Sequence, residues 1–338
     1  MADMDPLNRP ALISPRVVHL AQLHATHAGK RLVSVGERGS ILLSDDSGKT
    51  WRQAVTPVSV TLTNVAFADE QHGWAVGHSG VVLATSDGGL RWSKQLDGVQ
   101  AADIELNAAN AARGPNMPAN AMRLASAERL VSDGPDKPFL GVHFFDAKTG
   151  LIVGAYGLAF MTHDGGRTWQ SIIDRIDNPK GRHLYAVHEN GSRIYLAGEQ
   201  GALYCSDDQG KTFMALDSPS NATFFGMASA ASGELVAYGL RGNAYRSSDK
   251  GIHWDKIAMS PISLTAGIRA SDGSLVLADE AGRLLRSVDA GNTFHPLSVP
   301  RASAFSGVVQ ADDGAMVGAG ANGPIRIDIG RTSLEEKK

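Results

Sequence analysis

Apolar residues along this chain come in short bursts rather than in long periodic stripes. From Thr63 onward the sequence reads TNVAFAD, then GWAVG, then GVVLATSD, then RWSKQ. Runs of this length, rich in β-branched and aromatic residues and bounded by Gly, Asp and Ser, predict strands. Four such runs in about forty residues are the signature of one propeller blade. One stretch departs from the pattern. Gln100–Lys137 shifts abruptly to Ala, Asn, Met, Leu and Arg, which are mostly helix formers. It predicts two helices, Ala101–Ala112 and Pro118–Val131, broken at Gly114-Pro115 and ended by Asp133-Gly134-Pro135.

The bursts are organised by a recurring phrase, S/T-x-D-x-G-x-x-W/F. It occurs at Ser44–Trp51, Thr85–Trp92, Thr162–Trp169, Ser206–Phe213, Ser247–Trp254 and Ser287–Phe294, with starts 41, 77, 44, 41 and 40 residues apart. Its third position is always Asp (Asp46, Asp87, Asp164, Asp208, Asp249, Asp289) and its fifth always Gly. Before each phrase lies a G-x-x-G turn: Gly36–Gly39, Gly77–Gly80, Gly154–Gly157, Gly198–Gly201, Gly239–Gly242 and Asp279–Gly282, whose first Gly is replaced. A seventh turn, Gly320–Gly323, has no Asp phrase after it. The expected architecture is therefore all-β: a seven-bladed β-propeller of four-stranded antiparallel blades over residues 1–338. The helical insertion, 100–137, falls between blades two and three. Blade seven lacks an outer strand, which ALISPR (11–16) is expected to supply. Residues 1–10 and 331–338 read as flexible tails.

Strand direction alternates within a blade. The Asp phrases, between third and fourth strands, therefore lie on one face. The G-x-x-G turns, between second and third strands, share the other with every blade-to-blade connection. That second face is the expected working surface. It would present Glu37, Arg38, His78, Tyr156, Glu199, Gln200, Arg241, Glu280 and Asn322, a ring of turn residues around one pore. The loop QSIIDRIDNPKGRHLYAV adds Asp174, Arg175, Asp177, Lys180, Arg182 and His183. Each of these taken singly also reads as an ordinary solvated loop residue. The insertion emerges on the same face, as a lid, a partner-binding arm or a packed decoration.

Composition narrows the chemistry. Thirty-eight glycines in 338 residues fit many tight turns, and a net charge of −3 supplies no footprint for nucleic acid. The one cysteine, Cys205, excludes an internal disulfide and reads as a small core residue. No H-x-x-x-H or C-x-x-C spacing suggests a metal, and His19, His24 and His27 read as strand and turn residues. No cofactor is expected. No apolar run is long enough to span a membrane, and MADMDPLNRPALISPR lacks the form of a signal peptide. Taken as written, this start predicts a cytoplasmic chain, or a mature form lacking its signal.

The phrase resembles the bacterial neuraminidase repeat, or Asp-box. That resemblance implies that the carboxylate accepts backbone N–H bonds within its turn, and that the aromatic packs between blades. Asp-box propellers include glycosidases, so a glycan-binding or glycoside-hydrolase-like protein is the alternative. Yet no arginine triad or facing carboxylate pair can be derived, and the tryptophans are absorbed by the boxes and by Trp74. More narrowly, DGPDKPFLGVHFFDAKTGLIVGAYG (133–157) and DNPKGRHLYAV (177–187) resemble the photosystem II stability/assembly factor family and its proteobacterial relatives. This implies an exported, periplasmic, non-catalytic scaffold binding a membrane-protein complex, and in proteobacteria a resistance-nodulation-division (RND) type exporter. Family members hold a partner with an arginine-rich patch, for which Arg182 and Arg241 are counterparts by location. The pore is left open to a small molecule.

Overall fold

In the computed structural model, residues 5–112, 118–298 and 304–329 are described. They form seven antiparallel sheets around one axis, six of four strands and the last of three. Blade four is representative, with strands Leu184–Asn190, Arg193–Gly198, Leu203–Ser206 and Met214–Ala215 running from the axis outward. Second strands such as Gly150–Gly154 are buried at every position. Each is flanked by a neighbouring blade on both sides, which is why these runs read as continuous apolar stretches rather than alternating ones.

The core is divided among the blade interfaces. Trp92 packs with Val33, Ile41 and Leu43 of blade one, and Trp169 lies with Trp74 and Phe144 between blades two and three. The ring closes by the same kind of packing. Ala25 and Leu32 of blade one meet Val309, Val317 and Ala319 of blade seven, with Trp51 against them.

Residues 11–16 were expected to add a fourth strand to blade seven, and they do not. Ala11–Ser14 runs along the outer side of blade one, where Ala11 N donates to Thr56 O and Gln53 Nε2 to Leu12 O, both at 3.1 Å. Pro15–His19 then forms a single 3-10 turn. A proline at each end of this segment withholds the backbone donors that a strand requires. Residues 5–10, expected as part of a flexible tail, are also docked. Leu7 is buried among Val58 and Val60, and Ser59 N donates to Pro6 O at 2.8 Å. The rest of the expected tails, 1–4 and 331–338, lies outside the described residues.

The insertion forms α1 (Gly98–Ala111) and α2 (Pro118–Asp133). The early start of α1 is written in a capping box: Asp97 accepts from Gln100 N at 3.2 Å and Gln100 Oε1 from Asp97 N at 3.1 Å. The expected break at Gly114-Pro115 lies outside the described residues. The arm is clamped to the flank of blade three. Buried Glu105 accepts from Ser171 on the outer strand of that blade. It also takes a two-pronged contact from Arg123, at 2.8 and 3.0 Å. Arg123 reaches Asp174 as well, at 2.9 Å. The described residues of the hairpin contribute nothing to the lining of the central channel.

Candidate functional site

The six Asp-boxes are nearly superimposable in their bonding. Asp208 Oδ1 accepts from Ser206 Oγ at 2.8 Å and Thr212 N at 2.9 Å, and its Oδ2 from Thr212 Oγ1 at 2.7 Å. Asp46, Asp164 and Asp289 repeat the arrangement, Asp249 does so with His253, and Asp87 keeps the Thr85 and Arg91 contacts. Hydrogen bonds from the Thr212 backbone and hydroxyl hold the Asp208 carboxyl down to about 2. In five boxes both carboxylate oxygens are engaged within the turn, and in the Asp87 box Oδ1 is. These carboxylates are committed to folding.

The opposite face is built differently. In each of the first six G-x-x-G turns, the first N–H after the opening residue donates to a backbone carbonyl just before that blade's inner strand. Glu199 N to His183 O, at 2.9 Å, is one case. A Cβ on Gly198 would stand 2.4 Å from that same oxygen, so the close approach excludes a side chain. The third turn residue is held left-handed at Arg38, Ser79, Tyr156, Gln200 and Arg241 (φ 52–57°). For a bulky residue this is a strained backbone. In blade six the buried Asp279 replaces the glycine and pairs with Arg283 at 2.6 Å.

Of the residues expected on this face, the structure brings together Tyr156, His183, Glu199 and Arg182, with Lys180 and Gln200 beside Arg182. Tyr156 N donates to His183 Nδ1 at 2.8 Å, and the two rings meet edge to face at 4.9 Å. With Nδ1 accepting, the neutral ring carries its proton on Nε2, which lies 3.8 Å from Glu199 Oε2. The same Glu199 oxygen accepts from His183 N at 3.2 Å. Beside them, Asn178 brackets Arg182, donating to its carbonyl at 2.9 Å and accepting from its N–H at 3.0 Å. Arg182, Lys180, Gln200 and Tyr204 line a cleft of about 190 Å³. Arg182 Nε is buried there without a hydrogen-bond partner, and burial pushes the Tyr204 hydroxyl up. The Tyr156 ring stays 63% exposed.

The other turn candidates, Glu37, Arg38, His78, Arg241, Glu280 and Asn322, stand one turn per blade around the ring, with only Glu37 and Arg38 sharing a turn. Among the described residues, no hydrogen bond or ion pair joins any of them to another. Glu280 Oε1 accepts from Ser263 N at 3.2 Å, a turn-bracing role like that of Glu199.

Three neighbours of the cluster escaped the sequence reading. Lys137, at the end of the arm, places its ammonium 5.3 Å from the Tyr156 ring centre while paired with Asp133 and Asp136. Tyr185 and Phe225 extend the aromatic path toward the axis, their rings 5.5 Å apart. Each occupies the extra residue of a bulge at the start of its inner strand. The same bulge recurs in every blade, so aligning the blades by their G-x-x-G turns would have picked out this position.

The family described as photosynthesis system II assembly factor YCF48 matches residues 43–112 and 124–321. The chain belongs to this family. The photosystem II assembly lipoprotein Ycf48 of Synechococcus sp. (strain CC9902) is 22% identical over 83% of this chain and 76% of its own length. The photosystem II assembly protein Ycf48 of Synechococcus sp. (strain JA-2-3B'a(2-13)) is 30% identical over 43% of this chain. That match spans about half of the relative, 49%. A solved structure of YCF48 bound to D1 peptide superposes with a TM-score of 0.65, at 17% identity and 96% coverage of both chains. It has the same fold.

Proposed function

We propose that this chain is a non-catalytic assembly or accessory factor that holds a segment of a membrane-protein complex against its G-x-x-G face, at blades three and four. The observation that carries the reading is the convergence of Tyr156, His183 and Glu199 beside Arg182. It sets an exposed aromatic ring on a strained turn next to a buried guanidinium nitrogen that lacks an acceptor. A polar group left unpaired in a protein interior is costly, and a partner's carbonyl or carboxylate would satisfy it. Rigid aromatic and arginine anchors of this kind concentrate binding energy. Family membership supports the same role, and so does the relative solved with a peptide.

No described helix is long and apolar enough to cross a membrane. The chain would therefore meet its partner at the membrane surface, and the lipoprotein relative favours the periplasmic side. The exporter partner implied by the proteobacterial resemblance finds no counterpart in these comparisons, so the proposal is held to the class of integral membrane proteins. The glycosidase alternative is weakened by the central channel, whose lining includes no carboxylate, Arg269 standing only at the far end of an inner strand. That leaves no acid and base to face one another there.

The test is recovery of partners from cross-linked, detergent-solubilised membranes of the native host. Tagged wild type, a Tyr156→Ala/Arg182→Ala double variant and an Arg38→Ala control on blade one would run together. A membrane protein retained by wild type and control but lost from the double variant is the expected result. Equal recovery by all three would overturn the site. Recovery of no membrane protein by wild type would overturn the function.

A further inference from the structure

The seven inner strands enclose a channel of about 620 Å³ on the ring axis, a size suited to a small organic molecule. Strand pairing arranges its lining in tiers. Nearest the G-x-x-G face are the bulge residues, where Leu23, Leu140, Tyr185 and Phe225 form an apolar and aromatic collar. The threonines of this tier are committed elsewhere: Thr63 Oγ1 donates to Phe139 O at 2.7 Å and Thr265 Oγ1 to Phe305 O at 2.6 Å.

The other end has a different character. His188 and His143 lie three residues further along their inner strands, and both line the channel. Arg269 follows four residues after Thr265 and closes the inner strand of blade six at the rim. A strand rise of about 3.3 Å per residue puts the two ends roughly 10–13 Å apart. His143 Nε2 is held by Glu189 Oε2 at 3.1 Å. His188 Nε2 is buried without any partner. Burial, with His143 and Arg269 nearby, lowers this imidazole to about 4, so at neutral pH the ring is uncharged and can offer Nε2–H as a donor. The Arg269 side chain is exposed and makes no hydrogen bond or ion pair among the described residues. Midway, His24 Nδ1 is also buried and unpartnered.

A channel with an apolar and aromatic collar at one end, and at the other an unused imidazole donor with an exposed guanidinium at the rim, is complementary to one kind of molecule. We propose that the central channel binds a small organic carboxylate with an apolar body about 10 Å long, such as a medium-chain fatty acid or an arylalkanoate. The body lies against Leu23, Leu140, Tyr185 and Phe225, and the carboxylate meets His188 and Arg269. Arg offers a carboxylate a two-pronged contact, and the collar residues offer its tail an apolar surface. This site is separate from the partner surface at blades three and four and stands or falls independently of it.

The test is calorimetric titration of the full chain at pH 7 with octanoate and with 4-phenylbutyrate, using 1-octanol as the uncharged analogue. Saturable one-to-one binding of the carboxylates is expected, with the alcohol at least about tenfold weaker. Arg269→Gln, an exposed change that leaves the fold intact, should weaken octanoate about tenfold, and Arg269→Lys should recover part of the loss. Arg38→Ala, on the outer face, should bind as wild type. No saturable binding of either acid would overturn the proposal. Equal affinity for octanol and octanoate would overturn it too, as would an Arg269→Gln variant that binds octanoate like wild type.

Discussion

The two faces of the ring are written in different ways. On one, the turn between third and fourth strands is repeated six times with the same carboxylate, the same glycine and a Trp or Phe, and every copy bonds its carboxylate within its own turn. On the other, the G-x-x-G turns keep their glycines but vary what they present: Arg38, Ser79, Tyr156, Gln200, Arg241. Six aligned acids look more like a site than one tyrosine does, yet the physical chemistry points the other way. Repetition in a propeller reports what each blade needs in order to fold. Chemistry for a partner shows where a single blade departs from its neighbours and pays a cost for doing so. Blade three departs most, carrying Tyr156, the arm and the approach to Arg182.

If that contrast is right, the largest effect comes from cutting the arm loose. Arg123→Ala leaves Glu105 buried with only Ser171 to satisfy it, and one-sided removal of a buried ion pair costs about 3–5 kcal/mol. The loss should appear as a lowered urea midpoint. Replacing both partners, as Glu105→Leu with Arg123→Met, should return most of the stability, because two apolar side chains need no compensation. A double variant as unstable as the single one would mean that the clamp acts through shape and not through charge.

Acidification separates the Asp-box face from the channel. His24 and His188 are lowered to about 4, chiefly by burial, whereas the unfolded chain takes up these protons near its ordinary value of about 6.5. Their contribution is thus complete above pH 6.5 and is lost as pH falls toward 4, since stability rises with pH wherever the unfolded state holds more protons. The Asp-boxes act in a lower window. Asp46, Asp164, Asp208, Asp249 and Asp289 are held at about 2. Their stabilisation is complete above about pH 4 and fades as pH drops to about 2. Urea unfolding at pH 7, 5 and 3 should show both losses. His188→Phe should lessen the loss between pH 7 and 5 and its continuation from 5 toward 4, leaving the part due to His24 and the Asp-box loss below about pH 4; an unaltered upper slope would remove His188 from this account.

How much of this was legible beforehand follows the same division. The blades, the turn faces and the Asp-box role could be read because each is a short-range pattern that the chain repeats. The arm's helices were visible in composition, but Glu105 and Arg123 were not. They sit on different helices and meet only after the hairpin packs on Ser171. Tyr156, His183 and Glu199 were each suspected from their turns, yet their convergence depends on blades three and four standing side by side, which no local pattern states. Tyr185 and Phe225 were missed because a bulge adds one residue at the start of the strand and so breaks the simple alternation of facing. The segment 11–16 misled for a related reason: a missing strand in blade seven suggested a need, while two prolines had already decided what the segment could not do.

The smallest effect is the most discriminating. Tyr156 holds φ 56°, a conformation that asparagine tolerates far better than a bulky aromatic residue. Its ring, largely exposed, gains little from the fold beyond the edge of His183 and the approach of Lys137. Tyr156→Asn should therefore leave the urea midpoint unchanged or raise stability by up to about 1 kcal/mol, the scale of strain released at such a site. At the same time it should remove the ring from the partner surface and reduce membrane-protein recovery in the cross-linking experiment. Stability gained while binding is lost is the trade expected of a residue kept for function. If the substitution costs stability instead, the ring belongs to the packing of blades three and four, and the contrast between the two faces narrows to the arginine cleft alone.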